Sequence, residues 1–187
     1  MNIEKKNPKI FIISGKARHG KDTTALILDE IYTEKGKKIL NLSYGFYIKE
    51  YAKKISNWDG SDETKPRELL QQLGTSVIRN NIDEMFFVKR MLEDIEVYSY
   101  FFDVITISDA RLKPEVILPR QKFKNVFNIR VVRPNFDNGL TKEQQEHITE
   151  TDLDDYTEYD YYLVNDKDIE ELKNKVQKIV EDVENEY

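Results

Sequence analysis

Residues 11–28 read FIISGKARHGKDTTALIL, an apolar run that breaks into glycine, charge and threonine and then resumes at helical spacing. The run starts at Lys9 and is bounded by Pro8 and Gly15. A short apolar stretch without polar alternation is the pattern of a strand covered on both faces, as in a parallel sheet. Beyond the break, Ile27, Leu28, Ile31 and Tyr32 recur at helical spacing as far as Gly36, which suits the left-handed position just past a helix end. Between strand and helix, Gly15-Lys16-Ala17-Arg18-His19-Gly20-Lys21 fits the G-x-x-x-x-G-K core of a phosphate-binding loop. Successive N–H groups of such a loop wrap phosphate oxygens, the glycines permit close approach, and the helix N-terminus adds its positive dipole end. Lys21 supplies a mobile cation for β and γ phosphates. The loop departs from the usual pattern one residue later, where Asp22 replaces serine or threonine and is followed by Thr23 and Thr24. Two ways of meeting magnesium are open to Asp22, directly or through water, and Thr23 can touch either the α phosphate or a metal-bound water. His19 reads as loop filler and not as a base.

Composition narrows the classes. The chain has 187 residues, enough for one well-covered core, and no convincing internal boundary or repeat, so a single domain over 1–187 is expected. The absence of cysteine excludes disulfides and thiolate zinc sites, and two isolated histidines, His19 and His147, argue against a protein-only transition-metal site. A net charge of −6 argues against broad nucleic-acid binding, which uses a basic face. The N-terminal stretch lacks an export core, and no apolar run approaches the roughly 20 residues that cross a bilayer. The expectation is a cytoplasmic protein, monomer or homodimer, with no membrane or nucleic-acid partner.

Further along, strands are expected at 38–42, 103–108, 125–132 and 161–164, alternating with helices around 47–55, from Pro66 through Val77 with a possible break at Gly74-Thr75, and over 83–96. A short helix is expected between the third and fourth strands. A last amphipathic helix turns Ile169, Leu172, Val176, Ile179, Val180 and Val183 inward, with Asp168 and Glu171 at capping-box spacing. This alternation implies an α/β three-layer sandwich around a mostly parallel five-stranded sheet. The polar stretch 134–157 is the one long, weakly structured region, and its length suggests a functional flap or lid, with a surface insertion as the alternative.

Five later stretches join the loop in resembling one family: RELLQQLGTSVIRNNIDEMFFVK (67–89), ISDARLKPEV (107–116), IRVVRP (129–134), HITETDLDD (147–155) and YYLVNDKDIEEL (161–172). Together they resemble the P-loop kinases that include phage-type deoxynucleoside monophosphate kinases and animal-type phosphomevalonate kinases, most of all the phage branch. The resemblance spans nearly the whole chain and implies ATP, Mg2+ and a small phosphorylated acceptor. It also implies that Arg111 faces the acceptor, that Lys49 in YGFYIKEYAKK corresponds to a family lysine, and that Glu150 corresponds to a glutamate beyond the lid.

The residues support candidate roles of their own. Asp109 and Arg111 fall at the carboxyl end of a strand, where open α/β sheets place ligands, and an arginine there can grip a phosphate bidentately. Asp109 can orient that arginine, accept a hydrogen bond from substrate, or hold metal-bound water. Arg67 and Arg79 flank the LGT helix, with Arg79 the better acceptor candidate. Arg133, at the start of the lid, and Arg18, in the loop, are each able to reach the transferring group, while Asn165 follows the last strand, where the resemblance implies an adenine pocket and an ordinary turn residue is the alternative. Phosphoryl transfer asks for alignment and charge neutralisation, which suits arginines and lysines and needs no strong base. The expected activity is ATP-dependent transfer to a nucleoside or deoxynucleoside monophosphate. A phosphomevalonate-like or dephospho-coenzyme-A-like kinase and a nucleotide-hydrolysing switch are the alternatives.

Overall fold

The computed structural model describes residues 3–185; Met1 and Asn2, where the N-terminal stretch read above begins, lie outside them, as do residues 186–187. The apolar run forms β1 (Lys9–Ser14), whose last five residues are at most 1% exposed. Four more strands follow, β2 (Ile39–Leu42), β3 (Val104–Ala110), β4 (Val126–Val132) and β5 (Tyr161–Val164). They pair in the order β2-β3-β1-β4-β5, and every pairing is parallel. The helices are α1 (Lys21–Glu34), α2 (Phe46–Ser56), α3 (Arg67–Gln71), α4 (Phe86–Tyr98), α5 (Lys113–Lys122), α6 (Lys142–Glu146), α7 (Ile148–Thr151) and α8 (Ile169–Asn185).

Alternate side chains of β1 serve two cores. Phe11 and Ile13 share one with Leu28 of α1 and Val176 and Val180 of α8, while Ile10 and Ile12 share the other with Phe87 and Met91 of α4 and Val116 of α5. The result is a three-layer α/β/α sandwich with β1 at its centre. Each such side chain contributes about 1.5–3 kcal/mol on burial, which is why the strand carries no polar alternation. The α8 stripe is buried from Leu172 onward. Ile169, expected to point inward with it, is 53% exposed, because it is the first residue of the helix and precedes the turn that meets the sheet. Asp168 caps that helix by accepting the Glu171 N–H at 2.9 Å.

Three local features depart from the sequence reading. The LGT stretch does not break its helix; α3 runs on into a π-helical segment, Gln72–Arg79. A Cβ on Gly74 would stand 3.0 Å from Ile48 Cδ1, so the glycine lets α2 close on this segment. The lid stretch 134–157 contains α6 and α7; Thr141 and Gln144 cap each other reciprocally, at 3.3 and 3.0 Å. Finally, β3 extends past Ser108. Its register with β1 jumps from Ile12↔Ile107 to Ser14↔Ala110, one residue more on β3 than on β1. This bulge places Asp109 inside the strand and re-aims Ser108 and Asp109, a recurrent use of bulges beside functional sites.

Because the sheet is parallel, the segments following all five strands gather at one edge, and the strand order reverses on either side of β1, the position where open α/β sheets bind ligands. Gly15 crosses that edge with φ +154°, and a Cβ there would run into the Val131 carbonyl of β4. Gly36, also at positive φ, has open space around it. Gly15→Ala is therefore expected to lower the free energy of unfolding by about 3 kcal/mol, against about 1 kcal/mol for Gly36→Ala. Urea denaturation of both variants checks the contrast; equal losses would mean that the close approach at Gly15 is not what restricts it.

Candidate active site

The loop over residues 15–20 is braced from several sides. Arg18, at its tip with φ 61°, donates from Nη1 to the Asn138 carbonyl of the lid at 3.0 Å. The Lys16 ammonium meets Asp154 at 2.9 Å. His19 donates its N–H to the Lys16 carbonyl at 3.3 Å, and its ring Nδ1 accepts the Arg133 N–H at 3.2 Å. Burial lowers the pKa of this imidazole, in keeping with a neutral ring that accepts a hydrogen bond. Asn165, past β5, donates to the His19 carbonyl at 3.0 Å; a Cβ on Gly20, which has φ +102°, would meet the same amide nitrogen at 2.5 Å. Asn165 thus supports the loop from beneath.

At the head of α1, Lys21 is 6% exposed and donates to the Lys16 carbonyl at 2.9 Å. Burial first, and the nearby Arg111 charge second, lower its pKa to about 8. The Asp22 carboxylate is exposed and accepts the Ser108 hydroxyl at 2.8 Å. Thr23 is half-buried on the first turn, whereas the Thr24 hydroxyl is turned into the helix and donates to the Gly20 carbonyl at 2.9 Å.

Across the edge, Arg111 follows β3 and pairs through Nη1 with Glu150, with the Gly15 carbonyl 3.5 Å away. The second oxygen of Glu150 accepts the Ala17 N–H at 2.9 Å. A carboxylate from the 134–157 stretch therefore sits on a main-chain donor of the loop, in the manner of an anion in an amide cup. Asp109 does not orient Arg111 by a hydrogen bond. Its oxygens accept from the Ser43 hydroxyl at 2.6 Å and from the N–H groups of Tyr44 and Gly45 at 2.9 Å each, which ties the turn after β2 to β3.

A cavity of about 800 Å³ opens between the loop, α2, the π-helical segment and the 134–157 stretch. Lys49, Arg79 and Arg111, scattered over more than sixty residues of sequence, all line it, together with Asp109, Glu115 and Glu150. Arg79 is held in place: its guanidinium lies over Phe87 at 4.9 Å, donates to the Gly74 carbonyl at 3.4 Å and stands 3.5 Å from the Glu115 carboxylate. Arg67 is exposed on α3 and does not line the cavity, nor do Arg18 and Arg133. The Arg133 guanidinium lies 3.9 Å over the Phe136 ring, on the other side of the loop.

Two residues of the site escaped the sequence reading. Ser108 carried no signal beyond its place before Asp109. Glu115 did carry one: Pro114 and Glu115 after Leu112 have the spacing of a helix start, and its carboxylate accepts the Leu112 N–H at 3.0 Å. Glu115 is 2% exposed, and burial raises its pKa to about 7; Asp109 pushes the same way, while the Arg111 and Leu112 N–H groups and the Arg79 charge oppose the shift.

Among the described residues no three His, Cys, Asp or Glu side chains gather as a protein-only metal site. A rim with one exposed carboxylate, Asp22, its Ser108 hydroxyl partner and the Thr23 hydroxyl nearby offers hard oxygen donors beside the loop. That donor set fits magnesium held mainly by substrate phosphates. Among the described residues no helix is long and apolar enough to cross a membrane.

The family model described as deoxynucleotide monophosphate kinase matches residues 28–176. The deoxynucleotide monophosphate kinase of Enterobacteria phage T4 is 30% identical over 147 residues, covering 78% of this chain and 56% of that protein. Its counterpart from Escherichia phage RB69 is 34% identical over 121 residues, covering 64% and 46%. The chain thus spans about half the length of the curated relatives it matches. Among solved structures, the Mycobacterium tuberculosis APS kinase CysC in complex with AMPPNP and APS superposes with a TM-score of 0.60 at 14% identity over 94% of this chain and 99% of that one. Shikimate kinase from Bacteroides thetaiotaomicron does so at 0.55 and 12% identity over 92% and 98%. Dephospho-CoA kinase from Campylobacter jejuni gives 0.51 and 12% identity over 94% and 97%. These likenesses establish the P-loop kinase fold.

Proposed function

The chain belongs to the deoxynucleotide monophosphate kinase family, and from that premise we propose that it transfers the γ-phosphoryl group of ATP to a deoxynucleoside or nucleoside monophosphate. The observation that carries this reading is the cavity beside the amide loop, into which Lys49, Arg79 and Arg111 bring three cations from three separate elements. Such a site suits an acceptor that is already a dianion.

The ATP triphosphate lies in the loop, with the N–H groups of residues 15–20 and the head of α1 on its phosphate oxygens. A phosphate there and Glu150 compete for the Ala17 N–H, so nucleotide binding displaces the carboxylate, and Lys21 leaves the Lys16 carbonyl for the β and γ phosphates. Mg2+ supplies charge neutralisation on the phosphate oxygens, and Asp22 and Thr23 hold it, directly or through water. Arg111, at the junction of loop and cavity, aligns the acceptor phosphate, and Arg79 and Lys49 complete its grip. An acceptor phosphate oxygen forms a bond to the γ phosphorus as the bond from that phosphorus to the β–γ bridging oxygen breaks, leaving ADP and the nucleoside diphosphate. The attacking oxygen is already anionic, so no base is needed. The lid, anchored at Asn138 by Arg18, closes over the reactants and excludes water.

Purified protein incubated with ATP, Mg2+ and a panel of nucleoside and deoxynucleoside monophosphates, phosphomevalonate and dephospho-coenzyme A tests this. Formation of ADP together with a nucleoside diphosphate is expected. Transfer only to a non-nucleotide acceptor, or ATP turnover that needs none, would replace this reading with one of the alternatives named above.

A further inference from the structure

Glu115 has no part in the reaction just described, yet it is a carboxylate at 2% exposure beside the acceptor cavity. Burying such a group is costly unless every lone pair is met. Its partners come from both arginine-bearing walls. One oxygen accepts the Arg111 N–H at 2.6 Å and the Leu112 N–H at 3.0 Å, and the other stands 3.5 Å from Arg79 Nη2. Its main-chain carbonyl accepts the Tyr44 hydroxyl at 2.7 Å, which brings in the turn before α2. Phe87 under the Arg79 guanidinium and the Gly74 carbonyl beside it restrict that group from two further directions. A guanidinium is a rigid fork, so a contact that holds one of its nitrogens restricts the direction of its remaining donors, and Arg79 lines the cavity.

We propose that Glu115 is a positioning residue for the acceptor: it holds the Arg79 guanidinium and the main chain of Arg111 so that both arginines meet the acceptor phosphate already aligned. The proposal rests on the kinase reading above and assigns to that site a group that touches neither substrate.

Glu115→Gln tests it, because the amide oxygen still accepts the two N–H groups that start α5 while the charge facing Arg79 is lost. The acceptor KM is expected to rise about tenfold, with the ATP KM within twofold and kcat within threefold of wild type. Arg79→Gln should raise the acceptor KM at least as much, and adding Glu115→Gln to it should change little further, since both act through one guanidinium. An E115Q acceptor KM equal to wild type, or equal rises in both KM values, would overturn the positioning role and leave the kinase reading intact. Wild-type protein that transfers to no nucleoside monophosphate would remove both. If E115Q does not fold, 15N spectra of the wild-type guanidinium groups decide the matter, with Arg79 assigned through R79K. Rotation hindered relative to the exposed Arg90 supports the anchor, and free rotation overturns it.

Discussion

In the proposed reaction, Lys21→Ala is expected to lower the rate of phosphoryl transfer at saturating substrates by about 10³-fold and to leave the fold intact. The size follows from the task proposed for the ammonium: it is a cation beside the loop, able to follow charge as it moves onto the β–γ bridging oxygen, and removing such a group typically costs two to three orders of magnitude. The intact fold follows from its surroundings. Lys21 is 6% exposed, and its ammonium donates to the Lys16 carbonyl. Burial and Arg111 lower its pKa to about 8, from an ordinary value of 10.5, so the folded chain binds that proton less tightly than the unfolded one. The unfolded state therefore holds more protons between those values, stability rises with pH there, and below about 8 the buried charge is a burden that alanine removes. Single-turnover kinetics and a thermal melt check the pair of claims. A linked measurement uses the same group: phosphates at the ammonium raise its pKa again, so ATP binding at about pH 8.5 takes up protons. Calorimetry in buffers of different ionisation enthalpy detects this uptake in the wild type, and its persistence in K21A would assign the proton elsewhere.

Arg111→Ala is expected to lower kcat/KM for the acceptor by at least about 10²-fold, because it removes the guanidinium at the junction of loop and cavity. It is also expected to destabilise the protein by about 2 kcal/mol, for a different reason. Glu150, with a side chain 9% exposed, loses its charged partner and keeps only the Ala17 N–H. The two effects separate in the double variant Arg111→Ala/Glu150→Ala, in which stability returns towards wild type and transfer does not. Recovery of transfer in the double variant would mean that R111A fails only because an unpaired carboxylate stays on the loop, and that Arg111 does not align the acceptor.

How far the site was legible can be judged residue by residue. The backbone of the loop was legible, since Gly15 and Gly20 act through φ freedom and Lys21 opens the helix, all properties of neighbouring residues, whereas the ties of Arg18 to the Asn138 carbonyl and of the Thr24 hydroxyl to the Gly20 carbonyl were not. Lys49 was named by resemblance, Arg79 by its place beside the LGT helix and Arg111 by its position at a strand end, and the fold brings all three to one cavity. Asp109 was found, but its partners were not: three candidate tasks were open to it, and the fold commits both oxygens to the turn after β2. Arg133 was expected to swing towards the transferring group, yet it lies over Phe136 because that ring, three residues on, is within its reach. The bulge in β3 was invisible, since register depends on which residues the neighbouring strand presents.

The amino-acid sequence by itself determined the strand, loop and helix at residues 9–34 and the alternation that makes the sheet parallel. Those signals are local, written in φ preference and in apolar spacing within a few residues. Only the tertiary structure decided that Glu150 rests on the Ala17 N–H, 133 residues away, that Glu115 joins the two arginine walls, and that Ser108 meets Asp22. Such pairings depend on how layers pack and where a strand bulges, and a carboxylate carries no mark of which distant donor will meet it.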